Sequence, residues 1–412
     1  MSKLLEQINT EKKTKRLGDL VLINQSTITG NFPYKEIEYI DTASVTRNSF
    51  DRPQILNINE APSRAKRLLK DGDTILSTVR PSLCHYGFIK NPKPNTVAST
   101  GFVVLTPKNI DPFYLYSYLT QDYITNTLSS IAEATTTTFP AFRPEVLSEM
   151  EIKIPDLPTQ EKIAEILSAY DSKIENNSKI IKNLELTAQT IFDEWFINFR
   201  FPYSTSSRQV GYEKAKSCSE LRSTTRMKMV DSEMGEIPEG WKVKPLNDIA
   251  EIIFGFNFKA KKFNEEKNGI PVVRIRDVLD GVTKTFTSEI PSDEYKINTG
   301  DLLIGMDGTF HCSFWYTEGA YLNQRVARIR SELPGYFIFE SVRLQLDFLQ
   351  KIITGATVGH LANGDIRNFK ILIPKDISIL NVFENITQNI LTLKNEIVNL
   401  KESRDQLLAK LF

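Results

Sequence analysis

Two places in this 412-residue chain set a thiol beside an imidazole, Cys84-His85 and His311-Cys312. A cysteine activated by histidine is a nucleophile, but neighbours on a strand point to opposite faces. Neither pair therefore reads as a dyad. Cys84 and Cys312 fall on matching positions of an internal repeat, and a shared small core site accounts for both. Cys218 is the third cysteine, and no C-x-x-C spacing occurs. That fits a reducing cytoplasm and argues against zinc or a disulfide framework. Gly255 and Gly269 form no phosphate-binding loop, and the G-x-x-x-x-G-K-[ST] pattern is absent. A metal-dependent nuclease needs clustered carboxylates, often followed by Glu-x-Lys. Glu213-Lys214 lies instead in a Ser-, Lys- and Arg-rich stretch. No catalytic residue, metal site or cofactor is expected in the chain itself.

The elements that would position any site are dominated by one long helix, Pro158 to Phe196. Its apolar residues recur at three-and-four spacing from Ile163, Ile166, Leu167 and Tyr170 onward. From Ile174 the spacing tightens to a heptad through Asn177, Ile181, Leu184, Ala188, Ile191 and Trp195. This is a coiled-coil seam with Asn177 as a register-setting polar position. Thr159 is the expected N-cap. The chain ends on a second copy, Ile377 to Phe412. Ile174 aligns with Ile390, Ile181 with Ile397, Leu184 with Leu400, Ile191 with Leu407, Trp195 with Leu411, and Phe196 with Phe412. Upstream, Ile152–Pro155 (IKIP) matches Ile371–Pro374 (ILIP), so both helices leave a short apolar strand through a proline. The two seams are expected to face each other in antiparallel order, Ile174 opposite Leu411 and Trp195 opposite Ile390.

Each helix follows a globular block. Segments such as IEYID (Ile37–Asp41), DTILSTV (Asp73–Val79), HYGFIK (His85–Lys90) and GFVVLT (Gly101–Thr106) read as strands between Gly-, Pro- and Asn-rich turns. A helix is expected over Phe113–Ile131. The second block echoes the first: PLNDI (Pro245–Ile249) aligns with RLGDL (Arg16–Leu20), and Gly300-Asp301 with Gly72-Asp73. Phe337–Ile366 matches Phe113–Phe142. The expected division is a tail or helix over 1–14, a block over 15–157, a long helix over 158–200 and a linker over 201–230. A second block then covers 231–375, and a second long helix 376–412. The fold class is α+β, with two similar mixed α/β domains joined by two long helices in an antiparallel coiled coil with pseudo-twofold repetition. Lys plus Arg number 51, as do Asp plus Glu, so net charge is zero. Any nucleic-acid contact must rest on local positive potential. No apolar run is long enough for a bilayer, and MSKLLEQINTEKK is no signal peptide, so a cytoplasmic protein is expected.

Several motifs in this order resemble the specificity (S) subunits of type I restriction–modification enzymes. They are RLGDL, LPTQEKIAEIL (Leu157–Leu167), DEWFINFRFP (Asp193–Pro202), SEMGEIPEGWKVKPLNDI (Ser232–Ile249) and the matching C-terminal helix. The resemblance covers nearly the whole chain. The second helix departs from it, having Lys375-Asp376 where the first has LPTQ. The resemblance implies that each block is a target-recognition domain reading one half of a bipartite, asymmetric sequence in double-stranded DNA. It implies that the paired helices set the spacer, and that modification subunits, two in number, dock on this frame with restriction/motor subunits. S-adenosylmethionine, ATP and Mg would sit on those partners, which carry out adenine N6 methylation and restriction.

Base reading requires Arg, Lys, Asn or Gln at groove edges, with cations on phosphates. The candidates in the first block are Arg47, Asn48, Arg52, Arg64, Lys66, Arg67 and Arg80. Those in the second are Asn257, Lys259, Lys261, Lys262, Arg274, Arg276, Gln324 and Arg325. Gln324-Arg325 matches Thr100-Gly101 of the first block. The loops Ala134–Phe139 and Gly355–Gly359 are further candidates for phosphate or partner contact. Solvated surface accounts for part of any such set. Two alternatives predict different things. A self-contained methyltransferase or nuclease needs its own cofactor site. Asn31-Phe32-Pro33-Tyr34 resembles the Asp/Asn-Pro-Pro-Tyr loop of adenine N6-methyltransferases, with Phe for the first proline and no glycine-rich S-adenosylmethionine motif before it. A coiled-coil scaffold predicts two identical blocks, whereas these have diverged.

Overall fold

The computed structural model describes residues 12–135, 140–201, 228–353 and 359–412. Residues 1–11 of the expected tail, most of the expected linker with Cys218 and Glu213-Lys214, and residues 136–139 and 355–358 of the two loops lie outside the described residues. Two compact units make up the chain: Met1–Ile174 with Leu400–Phe412, and Glu175–Asn399. Both boundaries fall inside the long helices, so each unit includes a stretch of each helix.

The same central sheet forms in both units. In the first, the strand Phe102–Pro107 lies between Val21–Ile23 and Thr74–Ser77, and Tyr86–Phe88 pairs on the far side of Thr74–Ser77. In the second, Val326–Ser331 lies between Ala250–Phe254 and Leu302–Gly305, with His311–Phe314 outermost. The middle strands bury consecutive residues, Phe102 to Leu105 and Val326 to Ile329. The first run is wholly apolar, as a strand covered on both faces requires, whereas the second carries Arg328, buried and donating to Glu294 O at 2.9 Å and to Glu251 at 2.8 Å. RLGDL contains a short helix, Leu17–Leu20, ahead of the strand Val21–Ile23. A two-stranded ladder closes each unit: Lys13–Arg16 pairs with Glu151–Ile154, and Lys242–Pro245 with Lys370–Ile373. The matching strand-proline exits are therefore the outer strands of equivalent ladders.

A second sheet in each unit keeps one parallel pair, Glu36–Ile40 with Thr96–Ser99 and Ile270–Val273 with Tyr321–Leu322. Its remaining strands differ. The expected helix over Phe113–Ile131 is two helices, Pro112–Leu119 and Asp122–Thr135, while its counterpart Gly335–Ile353 is unbroken. Thr120 caps the first through its N–H to Tyr116 O, and its hydroxyl turns back onto the same carbonyl.

The first long helix spans Leu157–Phe192 and continues as a π-helical turn, Asp193–Ile197. Its cap is Asp156, which accepts from Thr159 N–H at 3.2 Å; Thr159 is inside the first turn and buried. The expectation of Thr159 as cap is corrected by one turn of geometry, because a cap side chain serves the third helical N–H. Asp376 does the same for the 3₁₀ turn Ile377–Leu380 that leads into the second helix, Asn381–Leu411.

Candidate nucleic-acid interface

The two long helices run antiparallel within each unit. In the first unit Arg404 Nη1 donates to Asp171 at 2.7 Å, and Leu407 and Leu411 join a core with Ile163, Ala164 and Leu167. In the second, Asn177 Nδ2 donates to Glu396 at 2.8 Å, and Phe192 and Trp195 pack on the Phe383 ring. Of the expected seam, Ile181, Ile390, Ile397, Leu407 and Leu411 are buried; Ile174, Leu184, Ile191, Trp195 and Leu400 are half-buried. The facing register differs from expectation. Leu411 belongs to the core cluster that holds Ile163 and Leu167, which does not include Ile174, and Trp195 meets Phe383, about two turns before Ile390. A heptad repeats itself every seven residues, so it leaves sliding by whole heptads open. The contacts at the helix ends select one register. Phe192 and Phe196 are buried seam residues that the heptad missed, because the buried stripe runs Ala188, Phe192, Phe196 at four-residue spacing into the π-turn instead of stepping to Ile191 and Trp195. Phe196 packs on Phe337, and its repeat partner Phe412 packs on Tyr114 and Tyr118.

The thiol–imidazole pairs are structural. Cys84 and Cys312 are buried, and desolvation pushes the Cys312 thiol far up. Their expected equivalence is corrected by strand register. Cys312 faces Ile304, whereas the position matching Ile304, Leu76, faces Tyr86. The histidines are the true counterparts: His85 hydrogen-bonds through Nδ1 with Val45 O at 2.7 Å, and His311 with Thr309 O at 2.7 Å. Asn31 and Tyr34 are exposed, with the Tyr34 ring tilted against Phe32 at 5.4 Å between centroids. Among the described residues no group of His, Cys, Asp and Glu could hold a metal ion, and no helix is long and apolar enough to cross a membrane.

The candidate DNA side chains of the first unit stand in different states. Arg47 and Asn48 both adopt positive φ, 47° and 64°, at the tip of the hairpin Val45–Thr46/Ser49–Phe50. Asn48 Oδ1 accepts from Phe88 N–H at 2.8 Å, which fixes that side chain in the fold. Arg64 donates to Asp41 at 2.6 Å and to the Tyr39 hydroxyl at 3.1 Å, so it carries little net positive potential. Arg67 is half-buried on the strand Ala65–Leu68, and its Nε lies below the surface. Arg52, Lys66 and Arg80 are exposed. Arg47 lines a cleft of about 430 Å³ with Tyr86, Tyr116, Asp171 and Arg404; the other six do not.

In the second unit, Asn257, Lys259, Lys261 and Lys262 are exposed on the loop after Ala250–Phe254. Glu289 pins that loop, accepting from Lys259 N–H at 2.9 Å and lying 3.6 Å from Lys262 Nζ. Arg274 covers the Phe263 ring, and Arg276 lies 3.7 Å from Asp277. Arg274, Arg276 and Gln324 come together on one cleft of about 530 Å³ with Asn323, Asp307, Thr309 and His311. Arg325 is turned away onto Asp307.

Comparison with known proteins agrees with this duplicated arrangement. Residues 9–186 and 238–399 match the family described as Type I restriction modification DNA specificity domain. The chain is 28% identical to the HindI specificity subunit of Haemophilus influenzae, across 92% of this chain and 94% of that one. It is 29% identical to the MjaIX specificity subunit of Methanocaldococcus jannaschii, across 82% and 76%. The crystal structure of a type I restriction-modification S subunit from M. genitalium superposes with a TM-score of 0.55 at 14% identity, covering 98% of this chain and 96% of that one. With the family's domain present twice and spanning both units, the chain belongs to the type I restriction–modification DNA specificity family.

Proposed function

We propose that this protein is the DNA sequence-specificity subunit of a type I restriction–modification complex. Each unit reads one half of a bipartite, asymmetric target in double-stranded DNA. The long helices fix the number of unread base pairs between the halves. The observation that carries this reading is a shared scaffold with differing rims. The central sheets match strand for strand, while the second sheets and the polar loops around them diverge. Duplicated frames with unlike reading surfaces suit an asymmetric target. The chain is non-catalytic alone. Modification subunits, two per complex, bind S-adenosylmethionine and flip the target adenine for N6 methylation. Restriction/motor subunits supply ATP- and Mg-dependent cleavage. The complex works in the cytoplasm, without a membrane partner.

Of the candidate side chains, the exposed Arg47, Arg52, Lys66, Arg80, Lys259, Lys261 and Arg276 suit phosphate contact, which positions without selecting sequence. The test is co-expression with a type I modification subunit followed by mapping of methylated adenines. A bipartite motif with one constant spacer is expected. Inserting residues into both long helices should change the spacer and leave both half-sites intact. A continuous motif, or a half-site altered by the insertion, overturns the proposal.

A further inference from the structure

At matching points both units make the same lone backbone bridge, Val79 with Ala141 in the first and Asp307 with His360 in the second. A third matching position precedes the middle strand of each central sheet: Gly101 in one unit, Arg325 in the other. Where the first unit has valine, alanine and glycine, the second has an acid, an imidazole and a guanidinium. All three are joined. Arg325 Nε donates to both Asp307 oxygens at 2.9 and 3.0 Å, and its Nη2 donates to Leu361 O at 3.0 Å. His360 Nδ1 lies 2.8 Å from Asp307 Oδ1. These contacts, Arg325 foremost, hold the Asp307 carboxyl below the usual carboxylate range.

The clamp acts on the residue next to Arg325. Arg325 has φ of +73°, a left-handed conformation costly for a side chain of its size. Its guanidinium contacts are what hold it there. Gln324 N–H donates to Phe256 O at 2.8 Å, and Asn323 N–H to Val273 O at 3.1 Å. On the other side Gly255 is obligatory, because a Cβ there would sit 1.9 Å from Asn323 O. The backbone of Gln324 is therefore fixed from three directions while its side chain is exposed on the cleft shared with Arg274 and Arg276. A rigid backbone with a free carboxamide is a preorganised reader. A glutamine amide matches the N6 and N7 edge of adenine, accepting one hydrogen bond and donating the other.

We infer that Gln324 is a specificity-determining residue that reads one adenine of the second half-site, and that Arg325, Asp307 and His360 are positioning residues that hold it. The inference rests on the DNA-reading function proposed above. Arg325 takes no direct part in binding DNA, despite being a cation in the polar loop. The corresponding apex of the first unit is Thr100, also exposed, without a charged clamp behind it.

The test uses the full chain in complex with its modification subunit, selecting duplexes from a library randomised over both half-sites. Gln324→Ala should relax one position of the second half-site by about ten- to a hundredfold and leave the first half-site unchanged. Arg325→Ala and Asp307→Ala should relax that same position, and Asp307→Glu should restore much of the preference. His360→Ala should have the smallest effect. Thermal unfolding of each variant separates loss of folding from loss of reading. Unchanged selection by Gln324→Ala overturns the inference, as does uniform relaxation of the whole half-site by Arg325→Ala. If the unmodified complex selects no bipartite sequence, the proposed function itself fails.

Discussion

The two units place a buried aspartate at the same turn and satisfy it by different chemistry. Gly72-Asp73 and Gly300-Asp301 both use positive-φ glycines, 82° and 91°. In each, the carboxylate accepts a backbone N–H three residues back, from Lys70 and Asn298, both at 2.7 Å. The backbone of each aspartate is bonded alike, to Ile89 and to Trp315. At the matching position of the middle strand, however, Thr106 donates a hydroxyl to Asp73 at 2.7 Å, whereas Arg330 forks onto both oxygens of Asp301 at 2.6 and 2.8 Å. The long helices show the same contrast. An ion pair, Asp171–Arg404, joins them in one unit and a carboxamide–carboxylate bond, Asn177–Glu396, in the other. A repeated fold thus preserves its backbone geometry while exchanging neutral for charged partners, so the two units should respond differently to equivalent substitutions.

Helix register gives an all-or-none test, because the contacts at the two ends tie both units to one alignment. Cysteines replacing Asp171 and Arg404 should be joined by a short bismaleimide, while cysteines replacing Ile174 and Leu411 should not. Efficient joining of the second pair alone would break the observed register. The next effect is energetic. Arg330→Ala leaves Asp301, 5% exposed, without its cation and should cost the second unit about 2–3 kcal/mol, discounted because a third of Arg330 reaches solvent. Thr106→Val removes one neutral hydrogen bond and should cost the first unit about 1 kcal/mol. Urea unfolding followed by hydrogen exchange resolves the units, and equal costs would erase the contrast.

The pH response of the aspartates sharpens it further. Burial raises the Asp73 carboxyl above its ordinary pKa. Because the folded value exceeds the unfolded one, ionised Asp73 opposes folding. That penalty is absent below about pH 4 and complete once pH passes the folded pKa. Asp73→Asn should therefore flatten the first unit's loss of stability as pH rises to neutrality, with a net change under about 1 kcal/mol. Asp301→Asn should lower the second unit's stability at neutral pH, because it breaks a charge pair. A titration of stability showing the two variants alike would refute the distinction. The smallest effect is expected at the helix starts. Asp156 and Asp376 are held below the usual carboxylate range by the Thr159 and Ser378 contacts. Their folded values are depressed, so their support is present above about pH 4 and lost as pH falls through the folded pKa. Asp156→Ala and Asp376→Ala should fray the first turns, seen as faster amide exchange there.

Much of the frame was legible in the sequence because it depends on local chemistry. The repeat showed in IKIP and ILIP, in Gly72-Asp73 and Gly300-Asp301, and in the heptads. The individual DNA-facing side chains were less legible. Asn48, Arg64 and Arg325 belong to residue types that read DNA, yet each is committed to a contact far along the chain: Phe88, Asp41 and Asp307. Sequence spacing carries no trace of such pairings. Gln324 stands out only once its own backbone bond to Phe256 and that of Asn323 to Val273 are known.

The sequence by itself determined the family and the duplicated α+β organisation, since motifs, periodicity and turn chemistry act over a few residues. Only the tertiary structure decided the facing register, the equivalence of His85 with His311 rather than of the two cysteines, and which partners Arg64 and Arg325 take. Those depend on contacts between residues far apart in the chain. A heptad slid by seven residues presents nearly the same apolar seam, and an arginine's charge is available or neutralised according to what folds against it.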